Sequence, residues 1–371
     1  MKSIPSNSFI SPTTTLCSAA ATETQRNNAL QSVKNLFKRA SLVRKDRKTN
    51  LKLCAKTIVQ ERIIKYTQES QASRSRCMLE LQPPGYVSQA FGPPVKLLGS
   101  GTDGYVNLHV DPAGVKFAIK SFFCPKKRFT SLNECYEALD SEIRMSVMFN
   151  HPNIVRVYRM IYEANGYIYI VMEYCDQDLF SLISNLDSSP AERIELANYM
   201  FYQLVQAVSY LHNNAFVVHR DIKLDNICVT KDHTLKLVDF GCSVSYDPLR
   251  PFGRYGLTGS DPYIAPEIFL LANSIYDPRC TDVWAIGIVY LAMLSSRFPW
   301  EIAKVSDKNF NLFLSQKHKL LQYWVQHDPV ARSLISDILS VDPSKRPNIS
   351  AIKSHPFFIN LHSRYSNTND P

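Results

Sequence analysis

The sequence predicts an α+β fold of two lobes, a small antiparallel sheet lobe followed by a larger, mostly helical lobe. Apolar residues alternate with a period of two along residues 115–122, which is typical of a strand. From about residue 191 onward they recur with helical spacing instead. The hydrophobic share of 45% is enough to build a sizeable core around both kinds of element.

The sheet lobe is predicted from three short strands. Residues 95–98 form the first, a glycine-rich loop follows, and residues 105–110 form the second. Asp111, Pro112, Ala113 and Gly114 have the chemistry of a tight turn before the third strand, residues 115–122. Short connections of this kind join neighbouring antiparallel strands, so we predict a meander.

The helical lobe is predicted from four segments: residues 196–212, 283–294, 312–326 and 331–339. Residues 283–294 form the most apolar stretch, but they fall short of the roughly 18 residues that a membrane span needs. We therefore predict a buried core helix there and no transmembrane segment. The first 20 residues lack the charged and apolar regions of a signal peptide.

Composition divides the chain into three parts. Residues 1–85 are basic and rich in Ser and Thr, and they predict a mostly disordered regulatory arm. Pro and Gly at positions 83–85 and 92–94 indicate the end of a linker. A folded domain is predicted at 92–359, with its lobes at about 92–174 and 175–359, and residues 360–371 form a short tail.

The net charge of +9 belongs to the arm. Residues 1–90 carry 15 basic and 5 acidic side chains, whereas the remainder carries 27 and 28 and is almost neutral. A nucleic-acid-binding domain is therefore not expected. Residues 30–66 could form a basic amphipathic helix on an anionic membrane, although a solvated arm is the alternative. Nine cysteines without a C-x-x-C pair favour a reducing, cytoplasmic location, peripheral at the plasma membrane if the arm binds lipid.

A glycine-rich loop spans residues 99–104, Gly-Ser-Gly-Thr-Asp-Gly. Such a loop lets the backbone approach phosphates, but the pattern alone is weak because dinucleotide-binding folds share it. Here a strand follows the loop rather than a helix, which favours a phosphate clamp between strands. One hairpin later, Lys120 lies in an apolar strand and needs an anionic partner, for which we assign Glu142.

The strongest signal is the run His219, Arg220, Asp221, Lys223 and Asn226. Asp-Phe-Gly follows at residues 239–241, then Ala-Pro-Glu at 265–267 and Asp-Val-Trp at 282–284. This order supplies what phosphoryl transfer requires, namely a phosphate clamp, two metal ligands and a base.

With these segments in order, residues 95–358 resemble a eukaryotic protein kinase domain. The resemblance implies the bilobal protein kinase fold, with one helix, αC, in the sheet lobe, and it implies ATP and Mg²⁺ as cofactors. Asp221 would accept the substrate hydroxyl proton and Lys223 would neutralise the γ-phosphate. Asn226 and Asp239 would ligate Mg²⁺, while Lys120, held by Glu142, would grip the other phosphates.

The resemblance also implies an ATP pocket. Met172 would stand at its back, Glu173 and Cys175 would offer backbone groups to the base, and Val106, Ala118 and Cys228 would enclose the adenine. The full set of predicted ATP-binding residues is Leu98, Gly99, Ser100, Gly101, Thr102, Asp103, Gly104, Tyr105, Val106, Ala118, Lys120, Met172, Glu173, Cys175 and Cys228. Glu267 would pair with Arg346 to hold the large lobe.

Lys223, two residues after Asp221, resembles the serine/threonine kinases, and Ser260 fits a hydroxyl that contacts both. Residues 256–263 and 297–310 are similar to the fungal halotolerance and nitrogen-permease-reactivator kinases. This similarity implies a serine/threonine kinase that regulates membrane transporters or nutrient and ion homeostasis. It also implies protein substrates and an upstream kinase as partners.

Two positions depart from the family pattern. Ser146 stands where a large apolar residue usually packs on Phe240, which predicts a loosely packed αC helix. Gly256 stands where many kinases carry a phosphorylated Thr, although Arg220 normally needs an anion. A carboxylate could take the place of the phosphate. The remaining phosphate acceptors are Ser243, Ser245, Tyr246, Tyr255 and Thr258.

Asp225 and Asp178 border the expected peptide groove and predict a preference for basic residues before the target Ser or Thr. Alternatively, the two carboxylates are solvated surface charges or contact the ribose of the nucleotide. Lys38-Arg39-Ala40-Ser41-Leu42 predicts a phosphorylation site on the basic arm.

A pseudokinase-like ATP-binding scaffold is the alternative function, but Lys120, Asp221 and Asp239 are all present. A lipid or small-molecule kinase is disfavoured by Ala-Pro-Glu at 265–267 and by Ser260.

Overall fold

The computed structural model describes residues 79–101, 104–123, 145–271 and 274–366. The sheet lobe is one six-stranded sheet with the strand order β1-β5-β6-β4-β3-β2. Its strands are β1 (Leu79–Gln82), β2 (Pro94–Gly101), β3 (Gly104–Val110), β4 (Lys116–Phe123), β5 (Val157–Glu163) and β6 (Tyr167–Glu173). The predicted meander is confirmed, since β2, β3 and β4 pair antiparallel in sequence order.

The turn between β3 and β4 is built by Asp111, as the sequence predicts. One oxygen of its carboxylate accepts the N–H of Ala113 at 2.9 Å and that of Val115 at 2.8 Å. These bonds close a tight turn that reverses the chain. The resulting register places Val106 opposite Lys120, and β4 in turn places Ala118 opposite Met172 of β6.

The folded part begins earlier than the predicted boundary at residue 92. β1 pairs in parallel with β5, and a short helix α1 (Tyr86–Phe91) buries Val87 and Phe91. The Pro and Gly signals at 83–85 and 92–94 therefore flank this helix instead of ending a linker. Parallel pairing with a strand about 80 residues away leaves no local sequence signature, which is why the pattern did not reveal it.

The second lobe is mostly helical. Its helices are α2 (Leu179–Ser184), α3 (Pro190–Tyr210), α4 (Pro266–Leu271), α5 (Arg279–Ser295), α6 (Lys308–Trp324), α7 (Pro329–Ile338), α8 (Ile349–Lys353) and α9 (Pro356–Tyr365). Short strands accompany them: β7 (Gln177–Asp178), β8 (Val217–Val218), β9 (Ile227–Val229), β10 (Leu235–Leu237) and β11 (Val244–Ser245). The four predicted helices correspond to α3, α5, α6 and α7.

Helix α5 is the centre of the helical lobe. Every residue from 282 to 293 is buried, so the predicted core helix is confirmed. Helix α3 packs beside it and starts with a capping box, in which Ser189 and Glu192 satisfy each other's backbone N–H groups. Such a cap contributes about 1 kcal/mol and defines where the helix begins. Within the described ranges, no helix combines the length and apolar character needed to cross a bilayer.

Two groups of sequence predictions lie outside the described residues. The first comprises residues 1–78, with the amphipathic segment 30–66 and Ser41. The second comprises residues 124–144, with Glu142 and most of the expected αC helix. The proposed pairing of Lys120 with Glu142 falls in this second group.

A partly buried histidine gives the fold a pH dependence. Burial, together with the positive charges of Lys353 and Lys236, lowers the pKa of His151 from 6.5 to about 4. Its Nδ1 accepts the N–H of Asn153 at 3.1 Å, which requires the neutral ring. Between pH 6.5 and 4 the unfolded chain therefore binds a proton that the folded chain does not, so the stability is complete above pH 6.5 and is lost as the pH falls.

We expect up to roughly 3 kcal/mol of the free energy of unfolding to disappear across this window. Urea unfolding at pH 7, 6, 5 and 4 would measure it, with His151→Asn as the comparison because asparagine offers an acceptor without a titrating ring. Parallel losses in the wild type and the variant would show that His151 is not the group responsible.

Candidate active site

A buried aspartate positions the loop that carries the predicted catalytic residues. Asp282 of α5 accepts the backbone N–H of His219 at 2.9 Å and that of Arg220 at 2.8 Å, and His212 Nε2 bonds to it at 2.9 Å. Burial alone would raise the pKa of Asp282, but the bonds from His212 and Arg220 outweigh burial and hold the pKa below its ordinary value. Asp282 is thus an ionised anchor in the core of the helical lobe.

Asp221, Lys223, Asn226 and Ser260 come together directly beyond this anchor. Asp221 Oδ2 accepts Lys223 Nζ at 2.8 Å and Asn226 Nδ2 at 3.1 Å, and Lys223 Nζ also donates to Ser260 Oγ at 2.9 Å. Asp221 Oδ1 is buried and has no hydrogen-bond partner among the described residues. Because an unpaired buried carboxylate oxygen is unfavourable, this atom is suited to accept a hydrogen bond from a donor group outside the chain.

Asn226 and Asp239 fit the oxygen ligands that Mg²⁺ prefers. Asn226 Nδ2 also donates to Asp221 O at 2.9 Å, which fixes the amide and leaves its Oδ1 as the remaining acceptor. Asp239 is exposed and follows β10 with a positive φ of 64°. No group of three or more His, Cys, Asp or Glu side chains that could hold a metal ion occurs in the described part of the chain.

Phe240 is turned into the core, 1% exposed, while Asp239 beside it faces outward. Its ring lies 4.7 Å from that of Phe149 and 5.0 Å from that of His219. In the family pattern a large apolar residue at position 146 packs on this phenylalanine. Here Phe149 makes an apolar contact with Phe240. The sequence analysis missed it because Phe149 lies three residues beyond the family position.

The glycine loop joins β2 and β3 at the edge of the sheet. Gly104 has a φ of +134°, and a Cβ there would lie 2.2 Å from Ser121 O, so only glycine fits this position. A Cβ on Gly99 would meet nothing within 4 Å, which leaves space beside the backbone for a ligand. Leu98, Gly99, Ser100 and Gly101 lie on β2 and Gly104, Tyr105 and Val106 on β3, whereas Thr102 and Asp103 fall outside the described residues.

Two cysteines lie together where the adenine is expected. The thiol of Cys175, just after β6, is hydrogen-bonded to that of Cys228 on β9, and this bond together with burial raises the pKa of Cys175. Glu173 turns its side chain to Lys236 Nζ at 2.9 Å and to Arg156 N at 2.7 Å. The carboxylate of Glu173 is thus bonded to other groups of the protein. Met172, the preceding residue of β6, pairs with Ala118 of β4.

Arg220 meets backbone carbonyls where the sequence predicted a phosphate or carboxylate. Its guanidinium donates to Cys242 O at 3.3 Å, to Gly256 O at 3.4 Å and to Tyr255 O. Tyr276 donates to the same Gly256 carbonyl at 2.9 Å. These bonds hold the segment between Asp239 and Ser260 against the helical lobe.

The candidate phosphate acceptors differ in accessibility. Ser243 is buried and bonds to His219 O at 3.3 Å, and Tyr246 is buried with its hydroxyl on His212 O. Tyr255 Oη donates to Pro251 O at 3.1 Å, whereas Ser245 is exposed. A modifying enzyme could reach Ser245 without unfolding the segment.

The two aspartates of the expected peptide groove have different surroundings. Asp178 caps α2, since its carboxylate accepts Ser181 N at 2.6 Å and Ser181 Oγ at 2.8 Å. Asp225 is exposed in the helical turn Leu224–Asn226, directly after Lys223 and Leu224. Helix capping therefore accounts for Asp178, and Asp225 is the better candidate for contact with a substrate.

The predicted pair of Glu267 and Arg346 is formed and buried. Arg346 binds both carboxylate oxygens of Glu267, at 2.6 and 3.0 Å, and its guanidinium lies 5.0 Å from the centre of the Trp284 ring. The sequence analysis did not assign a role to Asp282 or His212. An aspartate at the start of the most apolar helix is itself a signal, because a buried charge requires partners.

Comparison with known proteins agrees with this geometry. The family model of the protein kinase domain matches residues 94–358. The chain is 33% identical over 312 residues to the probable serine/threonine-protein kinase RTK1 of Saccharomyces cerevisiae, covering 78% of this chain and 48% of the relative. It is 40% identical over 223 residues to the serine/threonine-protein kinase PRR2 and 37% over 224 residues to the nitrogen permease reactivator protein, both from the same yeast.

Those last two alignments cover 59% of this chain, and they span 31% and 27% of the relatives. The chain thus matches less than half of the length of each of these three curated relatives.

Proposed function

The chain belongs to the protein kinase domain family, and from this premise we propose that it is an active serine/threonine protein kinase that uses Mg·ATP. One observation carries the proposal: the unpartnered, buried Oδ1 of Asp221 beside an Oδ2 that is held by Lys223 and Asn226. A scaffold that only binds nucleotide has no need of a carboxylate oxygen kept free for a proton donor.

The chemistry follows from these atoms. Asp221 Oδ1 accepts the hydrogen of a Ser or Thr hydroxyl and orients its oxygen toward the γ-phosphorus of ATP. As the new P–O bond forms, the bond between the γ-phosphorus and the bridging oxygen breaks, and ADP keeps that electron pair. Lys223 Nζ offsets the negative charge on the transferring group. Mg²⁺, for which Asn226 and Asp239 offer oxygens, would neutralise phosphate charge when bound.

The bond between Lys223 and Ser260 supports the choice of Ser and Thr as acceptors. Lys223 Nζ bridges Asp221 and Ser260 at 2.8 and 2.9 Å, so the ammonium stands beside the free oxygen of Asp221. This arrangement matches the pattern, Lys223 with a hydroxyl at Ser260, on which the resemblance to serine/threonine kinases rests.

The test is transfer of labelled γ-phosphate by the full chain to a mixed protein substrate, followed by analysis of the modified amino acids. We expect label on Ser and Thr, with loss of transfer when Mg²⁺ is omitted. Binding of ATP without any transfer would instead support the scaffold alternative. Label on Tyr would contradict the proposed acceptor class.

Asp225 gives a prediction about substrates. A peptide with Arg before the target Ser gains an opposite-charge contact with this exposed carboxylate. Such contacts contribute up to about 1 kcal/mol, so Asp225→Asn should reduce the preference for an Arg peptide over its Ala analogue by up to about fivefold. The ratio of the two kcat/KM values measures it, and Asp232→Asn on the exposed β9–β10 turn is the matched control. An unchanged ratio of the two kcat/KM values would show that Asp225 does not contact the substrate.

We further propose that the enzyme regulates membrane transporters or nutrient and ion homeostasis. The support is the similarity to the nitrogen permease reactivator protein. A cytoplasmic location, peripheral at the plasma membrane through residues 30–66, belongs to the same proposal, with an upstream kinase acting on Ser41 or on Ser245.

A further inference from the structure

Residues 79–92 lie upstream of the part of the chain that matches the family, which starts at residue 94. They comprise β1, the helix α1 and Gly92, and we call them the brace. We infer that the brace positions the strands of the nucleotide site from the face opposite the nucleotide. This inference rests on the proposed ATP site, and it assigns to the brace a role in ATP affinity.

Strand alternation defines the two faces of the sheet. On β4, Ala118 and Lys120 point to one face, and Phe117 and Ile119 to the other. Ile119 forms an apolar cluster with Ile161 of β5 and Val171 of β6, and these three side chains are at most 1% exposed. What covers them is Val87 and Phe91 of the brace. Within the described part of the chain, the brace thus shields from water the back of the strands that carry the ATP-site residues.

Phe91 makes the most direct contact with β4. Its ring meets that of Phe117 edge-on, with the centroids 5.2 Å apart. The guanidinium of Arg159 lies over both Tyr86 and Phe91, at 5.7 and 5.9 Å from the ring centres. Phe117 is the residue before Ala118, so a displacement of Phe91 is passed to the strand that holds Ala118 and Lys120.

Polar bonds fix the register of the brace. Glu163 is 1% exposed, and its carboxylate accepts the N–H groups of Gly85 and Val87, both at 2.9 Å. Asn165 Nδ2 donates to the same carboxylate at 3.0 Å. A buried carboxylate that depends on the brace for two of these donors makes the docking specific, since a shifted brace would leave charge unpaired.

The far end of the brace reaches the glycine loop hairpin. Gly92 O bonds to His109 Nδ1 of β3 at 2.7 Å. Gly92 has a φ of +77°, and a Cβ there would lie 2.0 Å from Val110 O. The backbone of the brace at Gly92 is therefore in direct contact with the end of β3. The brace thus touches β3, β4, β5 and β6, four of the five strands of the sheet other than its own.

The experiment uses the full chain and compares Phe91→Ala with Leu81→Ala. Leu81 lies in the same segment but is 53% exposed, so its loss should leave ATP affinity unchanged. For Phe91→Ala we expect a rise in the KM for ATP of about five- to tenfold, with kcat within about threefold, because the ATP-binding strand shifts and the Asp221 loop does not. Phe91→Leu should restore most of the affinity.

The dissociation constant of a fluorescent ATP analogue is measured at a temperature at which every variant is folded. For Phe91→Ala it must rise by about the same factor as the KM for ATP. A lower melting temperature with affinity and KM within twofold of the wild type would overturn the inference, because the brace would then only stabilise the fold. If Phe91→Ala does not fold, Glu163→Gln, which weakens the docking of the brace, is compared with Leu81→Ala in the same way. If the wild type binds the analogue but transfers no phosphate, the proposed function fails, whereas the binding comparison still decides the role of the brace.

Discussion

Replacing Asp221 with asparagine is expected to reduce phosphate transfer by about 10²–10⁴-fold, the usual contribution of a positioned acid–base group. Asparagine has the same shape as aspartate but cannot accept the hydroxyl proton. Its amide would also place a donor or a neutral oxygen against Lys223 Nζ and Asn226 Nδ2, which now share the ionised Oδ2. We therefore expect kcat to fall.

The affinity for ATP separates this outcome from a folding defect. Asp221 lies on the catalytic loop of the helical lobe, so the nucleotide should bind to Asp221→Asn within a few-fold of the wild-type affinity. Asp232→Asn, on the exposed β9–β10 turn, is the matched control and should transfer phosphate normally. Transfer by Asp221→Asn within tenfold of the wild type would mean that Asp221 is not the proton acceptor.

The second large effect is expected on stability. Arg346→Met removes the only cation that the structure shows on Glu267, a pair whose side chains are 0% and 2% exposed. It also removes the donors to Ser340 O at 2.8 Å and Cys280 O at 2.6 Å. Breaking a buried ion pair from one side leaves an uncompensated charge, so the free energy of unfolding should fall by about 3–5 kcal/mol.

Urea unfolding measures this loss, and two further variants define its cause. Glu267→Gln combined with Arg346→Met leaves no buried charge, and it should be less destabilised than Arg346→Met alone. Arg364→Met breaks an exposed pair with Glu195, whose side chains are 60% and 44% exposed, and it should lose about 1 kcal/mol or less. Equal losses for the buried and the exposed pair would contradict this account.

Much of the fold was predictable because the patterns involved are local. Residues 115–122 alternate with the period of a strand, and residues 283–293 are apolar on every side, as a fully buried helix requires. The turn at Asp111 is a short-range device, with its acceptor and donors within four residues. Such features depend on neighbours along the chain, which the sequence displays directly.

The candidate site was also predictable in part, for a chemical reason. Asp221, Lys223 and Asn226 lie within six residues, and the geometry of one loop brings them together. Phe149 was missed because the partner of a buried ring is chosen by packing rather than by position in a motif. Asp178 was predicted to border the substrate groove, and the structure adds that it caps α2, a local role that an aspartate directly before an apolar run indicates.

The sequence by itself determined the family and the choice of candidate catalytic groups, since phosphoryl transfer needs particular side chains at particular spacings. Only the tertiary structure decided what supports them. It placed Asp282 under the catalytic loop, carbonyls around Arg220, and the brace on the back of β4 and β6. These contacts join residues some 20 to 80 positions apart, and such pairings follow from how the surfaces of separate elements fit in space, a property that no local pattern encodes.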